Sequence, residues 1–187
     1  MKEFIAGLPK AELHVYGAYA TQQILQLHNE KEGFLIKGYT NNPIEIVGNC
    51  KVVLAPLRFG AGIKGKLTEA MLCGTPSVTS AIGAEGMHDD LPWNGFIEND
   101  LTVFAQKAIA LYTDEDLWSQ SQKNGIQIIN QLYDKVTIGD QFISRLIQLQ
   151  NEIEQHRNQN FMGNLVQHQT LQSTKYMSKW IEEKNKN

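Results

Sequence analysis

The chain of 187 residues carries 17 Lys and Arg against 20 Asp and Glu, a net charge of -3, with 42% hydrophobic residues. That is enough apolar material for one domain with a core and some tens of residues over. The lack of a basic block excludes a nucleic-acid surface as the main business, and no apolar run reaches membrane-spanning length. Met1 to Gly7, followed closely by Pro9, is too short for a signal peptide, so a cytoplasmic chain is expected. Cys50 and Cys73 form no C-x-x-C pair and read as reduced packing residues. His14, His28, His88, His156 and His168 show no ligand spacing, and no protein metal site is expected.

In chain order, Met1 to Gly7 reads as a helix remnant ending before Leu8-Pro9, and the alternation Glu12-Leu13-His14-Val15-Tyr16 predicts a strand that Gly17 turns. His14, alone inside that strand, is read as structural rather than as a general base. Thr21 is placed as the cap of a helix carrying Ile24, Leu25 and Leu27 and ended by Gly33, before a strand over Phe34 to Lys37. Gly38 to Asn42 is a loop by composition, and Pro43 fits the first turn of a short helix through Ile44, Ile46 and Val47.

The apolar run Val52 to Ala55 predicts an interior strand, and the chain is organised around the stretch beyond it, Pro56 to Pro76. This stretch passes through a turn containing Gly60, Gly62 and Gly65 into a helix starting between Ile63 and Lys66. The free N–H groups and positive dipole end of such a helix form an anion site, beside which Lys64 and Lys66 add full charges. Glu69, about one turn in, is an acceptor-only carboxylate suited to a pair of ribose hydroxyls. The turn is neither a dinucleotide fingerprint, since no acidic residue ends a following strand as that motif requires, nor a Walker loop, whose lysine must precede Ser or Thr. Read locally, it is equally compatible with a corner whose glycines serve packing and whose lysines are solvated.

Ser77 to Ser80 predicts another strand, Ala81 to Met87 a flexible glycine-bearing loop in which Glu85 has no more than a supporting role, and Gly95 to Glu98 a last strand. Asn99 or Asp100 is expected to cap a helix through Val103, Phe104, Ala108 and Leu111; Asp114 starts another, and a third begins at Val136 or Thr137. From Gln141 the helical spacing of Phe142, Leu146, Leu149 and Ile153 predicts one long helix to about His156. Beyond it, Met162, Leu165 and Val166, then Met177, Trp180 and Ile181, make small apolar stripes in polar sequence. Strands alternating with helices imply a parallel sheet, with a ligand at the strand C-terminal ends, where Gly17, Gly38, Gly60 to Lys64 and Ala81 to Gly86 would share one edge.

The segment from Ala55 to Met87, APLRFGAGIKGKLTEAMLCGTPSVTSAIGAEGM, resembles the donor-binding segment of retaining glycosyltransferases with the GT-B fold, the glycosyl transferase group 1 family. The resemblance implies an α/β, Rossmann-like parallel sheet flanked by helices, the C-terminal half of a GT-B fold, over residues 1–157, with a helical tail over 158–187. It places Gly62, Ile63, Lys64 and Lys66 on a diphosphate, Glu69 on the ribose, and Ile36, Lys37 and Gly38 against the base. In the family two glutamates eight positions apart often flank the turn; Glu69 matches the second, but Ala61 stands where the first belongs, so the sugar contact is expected from backbone or from elsewhere. The implied function is the donor-binding half of an enzyme moving a sugar from a nucleotide-diphosphate sugar to an acceptor, in polysaccharide or glycan synthesis, with no cofactor and with no catalytic residue assignable.

The same resemblance implies that the acceptor domain is absent, that the first strand of this domain is missing, and that the isolated chain is inactive. The tail would pack on that other domain or self-associate, and the full-length enzyme would associate peripherally with a membrane. Two further readings stay open: a stand-alone nucleotide or nucleotide-sugar binding module without catalysis, and a fragment of a GT-B sugar epimerase. Buried tail stripes would favour the module, exposed ones a lost partner.

Overall fold

The computed structural model describes residue 8 and residues 10–186, with the side chains of 167–171 excepted. The helix remnant expected over Met1 to Gly7 lies outside the described residues. Residues up to Asp134 form one compact unit and those from Lys135 another, a division upstream of the expected boundary at 157/158.

The first unit is α/β. Strand β1 (Leu13–Tyr16) is followed by the single-turn helix α1 (Gln22–Leu25), a 3-10 helix over Glu30–Glu32 and strand β2 (Phe34–Gly38). The continuous helix expected between Thr21 and Gly33 is therefore broken. Asn29 exchanges backbone hydrogen bonds with Phe34, at 2.7 Å from its own N–H and 2.9 Å to its carbonyl, and its side chain accepts from the Glu32 N–H. Ile24, Leu25 and Leu27 stay exposed, so no burial holds a longer helix together. Gly33 ends the segment as expected, in the left-handed region at φ 67°.

Helix α2 (Pro43–Asn49) has Pro43 in its first turn, and the Asn42 side chain caps it by accepting from the Glu45 N–H. Strand β3 (Val53–Ala55) leads through the glycine turn into α3 (Gly65–Leu72). That helix ends in a Schellman motif: Gly74, at φ 70°, donates to the Met71 carbonyl while Thr75 N–H reaches the Ala70 carbonyl at 2.8 Å. Strand β4 (Ser77–Thr79), helix α4 (Ala81–Ala84), strand β5 (Gly95–Ile97) and helices α5 (Leu101–Thr113) and α6 (Glu115–Leu132) come next. Asp100 caps α5 through the N–H groups of Thr102 and Val103, and Asp114 caps α6 through that of Leu117.

All pairing within the named sheets is parallel, in two sheets of order β1-β2 and β3-β4-β5. Alternation on the second sheet builds two apolar layers. One face sets Leu54, Val78 and Phe96 against Phe104, Ala108 and Leu111 of α5; on the other, Ala55 packs with Leu67 and Met71 of α3 and Ile128 of α6. Buried polar groups are tied within this sandwich: Thr79 donates to the Ala55 carbonyl at 2.9 Å, and Ser77 donates to Asn94, whose amide in turn donates to the Thr75 carbonyl.

The second unit is helical: α7 (Lys135–Asn151), α8 (Ile153–Gln159) and α9 (Phe161–Lys184). The single helix expected to run from Gln141 to about His156 is interrupted at Glu152, at φ -110° and ψ 18°. Neither Gly nor Pro marks that break in the sequence.

Candidate functional site: a glycine turn at a helix start

The sequence places an apolar strand directly before a glycine-rich turn, and the turn ends where α3 begins, at Gly65. Gly62 takes φ 64°, a left-handed conformation that lets the chain reverse before the helix. Side chains at Gly62 or Gly65 would meet nothing within 4 Å, so both face open space. Ile63, Gly65 and Lys66 are exposed as well.

Helix α3 has Lys64 at its N-cap position and no side-chain cap. The Leu67 and Thr68 N–H groups return to the Lys64 carbonyl, whereas those of Gly62, Ile63, Lys64, Gly65 and Lys66 have no acceptor among the described residues. Consecutive free donors at a helix start, carrying its positive dipole end, are an anion-binding arrangement.

Lys64 sharpens it. Its side chain folds back beneath the turn, where a Cβ on Gly60 would lie 3.9 Å from its Cε, and the residue is only 7% exposed. Its ammonium donates to the Glu85 carbonyl at 3.3 Å, and no carboxylate among the described residues pairs with it. A buried cation held by one neutral carbonyl is under-compensated, and an anion at the adjoining N–H groups would complete it. Lys66 is exposed and offers a long-range charge instead.

Glu69 stands one turn along α3 from Gly65, on the same helical face, and is half-buried. Helical side chains lean toward the N-terminus, so its carboxylate lies over the surface that Gly65 leaves clear. No carboxylate contact of Glu69 appears among the described residues. It is an acceptor beside a donor-rich turn, which suits a diol next to an anion.

Ile36, Lys37 and Gly38 close β2. The Ile36 N–H donates to His28 Nδ1 at 3.1 Å and the Gly38 carbonyl accepts from Gly17 N–H at 2.9 Å, so part of their backbone is already engaged. Gly38, at φ 75°, has open space where a Cβ would stand.

The Ala81 to Met87 segment differs from the flexible loop expected. Its first turn is helix α4, capped by Ser80, whose hydroxyl accepts from the Gly83 N–H and donates to the Leu57 carbonyl at 2.6 Å. Gly83 is packed rather than open: a Cβ there would stand 1.9 Å from Thr79 Oγ1. Sequence reasoning passed over this latch and the Glu85 carbonyl under Lys64. Ser80 before a short apolar run was a readable capping signal; a backbone acceptor leaves none. Among the described residues no cluster of His, Cys, Asp and Glu could hold a metal ion.

A solved structure of a TarM variant from S. aureus in complex with Fondaparinux, alpha-GlcNAc-glycerol and UDP is similar in fold, with a TM-score of 0.65 at 22% identity over 76% of this chain and 30% of that one. The pneumococcal O-GlcNAc transferase GtfA in complex with UDP and GlcNAc gives 0.60 at 20% identity, over 76% of this chain and 31% of that one. Anabaena HepE in complex with UDP gives 0.62 at 18% identity, over 80% and 45%. The chain thus spans less than half the length of these structures. No curated protein matches the chain. The model of the family described as Glycosyl transferases group 1 matches residues 2–114, which takes in β1 through α5 and with them the whole glycine turn. The chain belongs to the group 1 glycosyl transferases.

Proposed function

We propose that this chain is the donor-binding half of a glycosyltransferase that moves a sugar from a uridine-diphosphate sugar to an acceptor hydroxyl. The observation that carries the reading is Lys64, a buried lysine with no carboxylate partner among the described residues, beneath a run of N–H groups that have no acceptor there. The diphosphate sits on the N–H groups of Gly62, Ile63 and Lys64, with Lys64 and Lys66 opposing its charge, and Glu69 takes the ribose hydroxyls. Uridine is chosen because three structures of similar fold were solved with UDP. The base lies at the β2 end, against Ile36, Lys37 and Gly38.

In the transfer the bond between the anomeric carbon and the diphosphate oxygen breaks, its electron pair going to that oxygen. The acceptor hydroxyl oxygen bonds to the anomeric carbon, and its proton passes to the departing diphosphate. Fixed N–H donors and a partly desolvated ammonium stabilise the developing charge without having to reorganise. Positioning of the acceptor hydroxyl falls to polypeptide beyond this chain. Exposed apolar side chains on the helices of the second unit, such as Phe142 at 61%, Met162 at 66% and Trp180 at 59%, support a half that meets a partner over a self-contained module.

Titration calorimetry with UDP, GDP and ADP tests the proposal. UDP is expected to bind, and to stabilise the fold by about 2.7 kcal/mol at a hundredfold excess over Kd. Binding that is absent for all three at millimolar concentration, or unaltered in Lys64→Met, would sink it.

A further inference from the structure

The proposed base contact lies at the end of β2, and β1 covers only one edge of that strand. Alternate residues of a strand turn their N–H and C=O groups to opposite edges. Gly33 accepts from Leu13 on the β1 side, whereas Phe34 exchanges hydrogen bonds with Asn29, so Ile36, two residues on, faces the edge that β1 leaves bare. What meets it there is a side chain: the Ile36 N–H donates to His28 Nδ1 at 3.1 Å. We propose that His28 is a positioning residue for the nucleobase, which in its neutral form holds the segment from Ile36 to Gly38 in place and releases it when a second proton arrives. The base contact rests on the proposed function above; the hydrogen bond and its dependence on the proton do not.

The direction of that bond fixes the proton. A backbone N–H donates and never accepts, so Nδ1 presents its lone pair and the neutral ring carries its one hydrogen on Nε2. A second proton can go only to Nδ1. There it takes the lone pair that Ile36 used, and two N–H groups are left pointing at each other, so the ring must turn away. Glu30 is placed to keep it turned: its Oε1 lies 3.6 Å from Nε2, too far for a hydrogen bond to the neutral ring and within ion-pair range once the ring is charged. Glu30, Lys31 and Glu32 of the 3-10 turn and Lys37 of β2 are the charged residues on the elements around the ring, and of these Glu30 is the one paired with it among the described residues. Next to β1, Glu12 is taken by His14 at 2.7 Å.

A proton on this ring therefore reaches the site through the backbone. His28 extends by one rung the pairing that Asn29 begins on β2, with a ring nitrogen standing in for a carbonyl oxygen. Without that rung the last residues of β2 are held from the β1 side, and Gly38, at φ 75°, is a residue with a wide choice of backbone conformations. A base contacted through the backbone of Ile36, Lys37 and Gly38 binds best when those atoms are fixed beforehand. Affinity for the base should thus follow the charge of an imidazole that does not touch it.

The test compares the full chain with His28→Asn, whose Oδ1 takes the place of Nδ1 but does not titrate, and with His28→Leu, which removes the acceptor. Amide exchange is first followed by NMR without nucleotide. The exchange rate of the Ile36 amide relative to that of Leu35, which faces β1, is expected to rise about fivefold in the wild type between about pH 8 and about pH 5 and to stay flat in His28→Asn. UDP affinity is then measured by calorimetry as the ratio of wild type to His28→Asn, in which the nucleotide's own protonation cancels. That ratio should be near unity at about pH 8 and fall about fivefold by about pH 5, with His28→Leu weak throughout. An Ile36 amide indifferent to pH, or a flat ratio while UDP binds, would overturn the inference. If UDP binds none of the three proteins while the Ile36 amide still responds, the proposed function is what fails, and the base-positioning role falls with it.

Discussion

Two glycine turns come after neighbouring strands of one sheet and have opposite characters. After β3, the chain leaves Gly62 and Gly65 in open space, gives α3 no side-chain cap and buries Lys64 with no countercharge among the described residues. After β4, Ser80 caps α4, locks to the Leu57 carbonyl, and Gly83 presses against Thr79. Glycine in the first leaves open space beside the helix start; in the second it lets the protein pack against itself. The difference lies in the residue at the N-cap. A hydroxyl closes the helix start, whereas a lysine whose side chain turns under the loop leaves the amides free.

The sharpest way to break the comparison is to add side chains to both turns. Gly83→Val drives carbon into Thr79 Oγ1 and should destabilise the fold by about 3 kcal/mol, the upper part of the range for overpacking. Gly65→Val meets nothing, so its stability change should stay within about 1 kcal/mol while UDP binding is lost. Urea denaturation of the two variants, paired with calorimetry, decides. Equal losses of stability would erase the distinction between an open and a closed turn.

Lys64→Met separates the roles next. Removing a buried, under-compensated ammonium should leave stability unchanged or raised, because the cost of keeping that charge from water disappears. UDP affinity should fall by about 1.5–3 kcal/mol, the worth of a hydrogen bond to a charged partner. A variant that is markedly destabilised yet retains affinity would make Lys64 a structural residue.

That contrast also separates the legible from the illegible in the sequence. The β3-turn-α3 unit was legible because its signals are local: an apolar run, glycines at the turn, and a helix ending in Gly74 and Pro76. Lys64 was assigned to the diphosphate on its position alone; that it is buried and bonded to the Glu85 carbonyl comes from packing across 21 positions of sequence, which no window contains. The glycines of Ala81 to Met87 read the same as those of Gly60 to Gly65, because composition does not distinguish a glycine facing solvent from one facing Thr79. Likewise the helix expected from Thr21 stops short because Asn29 bridges to Phe34, a contact near in sequence that the helical spacing of Ile24, Leu25 and Leu27 does not show.

Glu69→Gln tests the ribose assignment with a smaller effect. The amide keeps the shape and one acceptor oxygen but loses the charge, so UDP affinity should fall by about 1 kcal/mol. A full-length enzyme carrying it should keep the pH dependence of its rate. Loss of a pH-rate limb at unchanged affinity would make Glu69 a proton-transfer group.

The smallest expected effect concerns how the closed turn is held at its far end. The Tyr133 hydroxyl donates to the Met87 carbonyl at 3.0 Å, and burial pushes its phenol above the ordinary value. The native state therefore holds the phenol proton more tightly than the unfolded chain. Its contribution is complete below the unfolded value of about 10 and is lost as pH rises through the higher folded one. Burial raises the Cys50 thiol in the same sense, so alkaline lability begins somewhat lower and has two sources. Tyr133→Phe removes one of them. It should cost about 1 kcal/mol at neutral pH, the worth of a neutral hydrogen bond, and the deficit should shrink as the wild type loses its own contribution above about pH 10. Urea midpoints of both proteins, taken from neutral pH to about pH 11, give the answer. Parallel curves over that range would show that Tyr133 does not anchor the closed turn through its proton, leaving Ser80 and Gly83 to hold it by themselves.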